Sequence, residues 1–121
     1  TAPVVSTVTT AFNADALTTG TNILIANVGA GIANAAALDA ALEDSGAIAL
    51  TPDGAMAVGD AFLVLYDDTT HSYLAEVVVG GNGTADNTVF AANELTATDL
   101  IKFTGVADCT TITVENFDFF A

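Results

Sequence analysis

Basic residues are almost missing. Lys102 is the one Lys or Arg, against 15 acids, for a formal charge of −14. One cation cannot make a basic patch, which argues against phosphate-backbone recognition and so against a nucleic-acid partner. Nor can ion pairing be a main stabilising device when one Lys faces fifteen carboxylates. Trp is absent and Tyr occurs twice, a weak endowment for stacking on sugar rings. Cys109 is alone, so no internal disulfide exists; its apolar, strand-like context predicts a buried small hydrophobe. His71 is the lone histidine, and neither an HxH nor an HExxH spacing surrounds it. A GxSxG elbow is missing too. The reading is therefore non-enzymatic, with no catalytic residue to nominate. No apolar run approaches the roughly 18 to 20 residues of a membrane span, so a soluble chain that is not membrane-inserted is expected.

What is present suits one packed domain over residues 1–121. The chain has 121 residues, of which 52% are hydrophobic, enough for a core and too many for ordinary disorder. It begins with Thr, and a processed form or a fragment is expected. Its charge has to be screened by salt or offset by bound cations. Calcium, which takes carboxylate and carbonyl oxygens, is the candidate cofactor.

The expected fold class is mainly β (α+β): an antiparallel, sandwich-like domain with one short helix near residues 34–45. "TAPVVSTVTTAF" opens as an edge strand or a free arm over residues 1–12, with Pro3 kept out of a central ladder. Val4, Val5 and Val8 are its candidate residues for strand addition to a neighbour. "TNILIANVG" is a second strand. "ANAAALDAALEDSG" has helical propensity, with Asn34 as cap and Gly46 as stop. Its stripe is Ala35, Leu38, Ala41, Leu42 and Ser45, with Asp39, Glu43 and Asp44 expected to point elsewhere. The preceding "VGAGIANAA" gives only a GxG, too little for a dinucleotide loop. A short strand in "AIAL" is closed by the turn "TPDG". In "DAFLVLYDDTTHSYLAEVVVG" two apolar runs, Ala61 to Tyr66 and Ser72 to Val79, flank a polar loop and predict a hairpin. A strand near Leu100 to Thr104 follows. "TTITVENFDFFA" then supplies one or two more, with Phe117 and Phe119 facing the core.

The loop "GGNGTADNTVFAANEL" offers oxygens from Asn82, Asp86, Asn87 and Glu94, the candidate calcium ligands. It is similar to the GGxGxD nonapeptide of RTX proteins, with Ala85 inserted before the Asp.

"LDAALEDSG", "VGDAFLVLYDDTTHSYLAEVV" and "ATDLIKFTGVADCTTITVENFDFFA" together resemble the carboxy-terminal module of type I-secreted, RTX- or surface-layer-like bacterial extracellular proteins. The resemblance runs from about Leu38 to Ala121. In that family an uncleaved terminal signal combines acids with hydrophobics. Glu115, Phe117, Asp118, Phe119 and Phe120, within a tail over residues 111–121, fit that pattern. The resemblance implies an extracellular or cell-surface location and a structural role. The expected partners are other surface-layer or matrix proteins or further copies of the chain; the alternative function is a self-assembling subunit of an extracellular filament or layer, built by strand addition of the N-terminal arm. A carbohydrate-binding module, with Tyr66 and Tyr73 as stacking rings, is the remaining alternative.

Overall fold

A computed structural model describes residues 4–13, 21–85, 87–113 and 115–117. Among these residues, seven strands and one α-helix follow in chain order: β1 (Val4–Val8), β2 (Phe12–Asn13), β3 (Thr21–Ala26), α1 (Ala35–Leu42), β4 (Leu50–Thr51), β5 (Ala61–Asp67), β6 (Ser72–Val79) and β7 (Leu95–Phe103). The main sheet has the order β1-β3-β5-β6-β7, and β2 with β4 makes a second sheet. The fold is mainly β, as its alternating segments predict.

The antiparallel expectation holds for half the sheet. β5 pairs antiparallel with β6, and β6 with β7. β1 pairs parallel with β3, and β3 parallel with β5, so the sheet is mixed. The reason is burial. Ile23 and Ile25 enter one apolar cluster while Leu24 and Ala26 enter another. A strand covered on both faces reads as an unbroken apolar run, the habit of parallel strands. Among the described residues no second sheet of comparable size faces the first, because β2 and β4 have two residues each.

The larger cluster lies between one face of the sheet (Leu24, Val64, Tyr66, Ala75, Val77) and a cover from α1, Ile48, Leu50 and Phe90. On the opposite face, Ile23, Ile25, Leu65 and Leu74 meet Cys109, Ile112 and Phe117. The described residues 109–113 and 115–117 therefore cover the sheet and add no strand to it. Cys109–Thr111 is a 3₁₀ turn, and residues 115–117 form another helical turn. The strand expected there is replaced because side chains bind the backbone locally. Asp108 accepts from the Thr110 amide at 2.9 Å and its hydroxyl at 2.6 Å, and Asn116 Oδ1 accepts from the Thr113 amide at 2.7 Å. Such bonds outcompete the β propensity of Thr and Ile.

The helix starts as its sequence predicts: Asn34 Oδ1 accepts from the Ala37 amide at 3.0 Å, and Leu38 and Leu42 are fully buried. Its end differs. Glu43 is the cap residue. Gly46 is needed for close approach, since a Cβ there would collide with the carbonyls of Ala40 and Ala41. Glu43 also does not point away from the protein: it is buried, and its Oε1 accepts from the Leu95 amide at 2.9 Å. The amide of Ala97, two residues on, favours the charged form of Asp39. The match is geometric. Residues i and i+4 on a helix face lie about 5–6 Å apart, and residues i and i+2 on a strand about 6.6 Å apart. The carboxylates of Asp39 in α1 and of Glu43 at its cap thus occupy amides of β7, the last strand of the sheet, which covers part of an edge that would otherwise invite pairing.

β1 is the other end of the strand order. Val4, Val5 and Val8 are paired in register with Thr21, Ile23 and Ala26, and Val8 is buried. Within the opening segment Val4–Val8 is thus an edge strand paired with β3, and residues 1–3 lie outside the described residues.

Candidate functional site

Polar side chains with chemical potential converge where the β5–β6 hairpin turns. β5 carries Asp67 inward as its last residue. Asp67 is 9% exposed. Its Oδ1 accepts from the Thr69 amide and its Oδ2 from the Cys109 amide, each at 3.0 Å. One carboxylate therefore ties the hairpin tip to a segment forty-two residues away in sequence. Asp68 Oδ1 accepts from the amides of Thr70 at 2.8 Å and His71 at 2.7 Å, and its Oδ2 accepts from the Tyr73 hydroxyl at 2.9 Å. These bonds, the His71 amide foremost, hold its pKa below the usual carboxylate value. The tip contains strain: Thr69 is β-branched and has φ +71, a region such residues rarely enter. The bond from its amide to Asp67 helps hold it there.

His71 Nδ1 accepts from the Gly105 amide at 2.9 Å. Ser72, fully buried, donates its hydroxyl to the Val106 carbonyl at 2.7 Å. Asp108 is exposed, and the Thr110 hydroxyl and amide lower its pKa. Cys109 is fully buried as expected, and its Sγ lies 3.7 Å from the Ala26 carbonyl. Burial, helped by the Asp67 charge, pushes its thiol up to about 12. A thiol so protonated is neither nucleophile nor ready metal ligand.

Beside this cluster, at the carboxyl ends of β3 and β5, lies a cavity of about 270 Å³ with Asn27, Gly29, Asp67, Thr69 and Asp108 in its walls. One ligand atom each from Asp67, Asp108 and Cys109 lies within 4.8 Å of the others. The spacing is that of a cation site, but the donors fit one poorly. Calcium takes oxygen and not sulfur, the thiol keeps its proton, and both Asp67 oxygens already accept an amide. What the arrangement does chemically is fix backbone.

The calcium candidates lie elsewhere. Asn82 and Asn87 are exposed, and Glu94 is half-buried with its Oε2 accepting from the Ala91 amide at 2.6 Å. Asp86 falls outside the described residues, as do Asp118, Phe119 and Phe120 of the terminal candidates. Of the others, Phe117 is 2% exposed in the second cluster and Glu115 is exposed. Tyr66 is fully buried, stacked on Tyr73 at 5.1 Å with its hydroxyl donating to Asp99 at 2.8 Å, and offers no face to a sugar. The Asp67–Cys109 and Glu43–Leu95 ties escape sequence reading. The one available signal for the second is an acid pair at i, i+4 beside Leu38 and Leu42. No family model, curated protein or solved structure matches the chain.

Proposed function

We propose that this chain is a non-enzymatic structural module of a secreted bacterial surface or matrix protein, and that its terminal segment is read by a type I export machine. The observation supporting this reading most is the use made of the reactive side chains: Asp67, Asp68, Asp108 and His71 all accept backbone amides at the hairpin end. These are groups that hold a loop in place. The charge of −14 suits a chain that crosses an envelope unfolded. Carboxylate repulsion opposes early collapse, and extracellular salt and calcium then screen it. Phe117 supports the same reading from the folded side, since a terminal hydrophobic seated in the core is exposed only while the chain is unfolded. In this reading its partners are further copies of the chain or neighbouring matrix proteins.

The test is export from cells carrying a type I exporter, comparing the full chain with one lacking residues 111–121. Secretion of the full chain alone is the expected result. Equal amounts of both in the medium would contradict the export role. A purified chain whose melting temperature at low ionic strength is unchanged by chelation would remove calcium from the account. Light scattering then distinguishes assembly from a monomer.

A further inference from the structure

The fold imposes a glycine after Asn82, and that glycine makes Asn82 chemically labile. Residues 80–83 form a tight reversal in which the Gly83 amide donates to the Gly80 carbonyl at 3.1 Å. Gly83 has φ +74, and a Cβ there would collide with the Met56 carbonyl. The next residue explains the crowding. Thr84 and Met56 exchange two backbone bonds, each 2.9 Å, in an isolated antiparallel bridge. Any side chain at 83 would have to push that bridge apart, so the position is restricted to glycine by conformation and by space.

Asn82 itself is exposed. Its amide carbon has the Gly83 backbone nitrogen as its neighbour one residue on, with no Cβ to shield the approach. Every other asparagine is followed by a residue that has one: Ala after Asn13 and Asn34, Ile after Asn22, Val after Asn27, Thr after Asn87, Glu after Asn93, Phe after Asn116.

We infer that Asn82 is a self-modification site, where the chain converts its own asparagine to aspartate and β-linked aspartate. The Gly83 nitrogen, losing its proton to solvent base, bonds to Asn82 Cγ. The Cγ–Nδ2 bond breaks and ammonia leaves, closing a five-membered imide. Water then opens one of the two imide C–N bonds. Opening at Cγ–N gives aspartate in the original chain, and opening on the main-chain side gives an aspartate linked through its side chain. Asparagine is among the thermally labile residues for this reason. No oxidant, metal or enzyme is required.

The product changes the loop in two ways. Either form adds one negative charge to a chain already at −14. It does so on an exposed reversal in a molecule whose acids outnumber its one Lys fifteen to one. The β-linked form also lengthens the main chain by one methylene inside the ring closed by the Gly83-to-Gly80 bond. That bond is the brake as well as the casualty, because a nitrogen donating to Gly80 has to be released before it can attack. The folded chain is accordingly slower than an unfolded one, but Asn82 still leads the other asparagines.

The experiment is incubation of the intact folded chain in mildly alkaline buffer at physiological temperature, with peptide mapping by mass spectrometry and a β-aspartate-specific methyltransferase assay. Asn82→Gln and denatured wild type serve as parallel samples. The expected result is that Asn82 gains the mass of one deamidation before any other asparagine, that β-aspartate appears with it, and that both signals vanish in Asn82→Gln. The exposed position makes that variant fold normally, checked by its unchanged melting. The inference is overturned if another asparagine leads in the folded chain. It is equally overturned if Asn82 stays intact while the denatured chain converts, which would mean that the turn holds the Gly83 nitrogen out of reach.

Discussion

Two groups of carboxylates in this molecule have opposite fates. At the hairpin tip, Asp68 and Asp108 are exposed or half-buried and each accepts nearby amides and hydroxyls, which lowers their pKa values. On the flank of α1, Asp39 has one amide in its favour, but burial and the neighbouring Glu43 act the other way and raise its pKa. Its Oδ1 is buried without a partner among the described residues. The sign is set by how many donors reach each oxygen against how much water is lost. Near the backbone the acids are bound in two distinct ways, so the chain's excess charge is more than a uniform solvated surface.

The largest expected effect is at the tip. With its thiol at about 12 against an ordinary 9.0, Cys109 should alkylate about a thousandfold more slowly in the folded chain than in the unfolded one at neutral pH, from thiolate fraction alone. Equal rates by a chromogenic disulfide assay would show that the cluster is open. Asp67→Ala is next. It removes the acceptor for two amides, and at about 1.5 kcal/mol for each bond to a charged group urea denaturation should register a loss of about 3 kcal/mol. On the flank, Glu43→Ala leaves the buried Leu95 amide without its acceptor and should lose about 1–2 kcal/mol. A loss there as large as at Asp67 would erase the distinction between the two regions. Asp39→Asn is the smallest and of opposite sign. It removes a disfavoured charge while keeping an acceptor for the Ala97 amide, so the melting temperature at neutral pH should rise slightly.

The parts of the fold legible in the sequence are those decided within a few residues. The hairpin has its apolar runs and its Asp-Asp-Thr-Thr-His tip side by side, and α1 has Asn34 and the Leu38–Leu42 stripe. Pairing of β1 with β3 and of β3 with β5 is parallel and non-local, and "NILIA" signals only that both faces are covered. The described Thr and Ile residues after Cys109 carry strand propensity, which Asp108 and Asn116 override with local side-chain bonds. The tie from Asp67 to Cys109 joins residues that no spacing rule links. In the sequence Asp67 looks like one more polar loop residue.

The linkage to pH follows from the two signs. Asp68 and Asp108, lowered in the fold, contribute stability that is present above the ordinary carboxylate value and is lost as pH falls through their own lower values. Asp39, raised in the fold, opposes folding while charged, and that penalty disappears as pH falls from its raised value towards the ordinary one. Acidification should therefore first relieve the helix flank and afterwards release the hairpin tip. A residue-resolved NMR titration of the carboxyl carbons tests this most directly. The account predicts Asp68 and Asp108 titrating below the chain's freely exposed acids and Asp39 above them. A single shared midpoint for all three would contradict the claim that the tip carboxylates are bound to backbone amides.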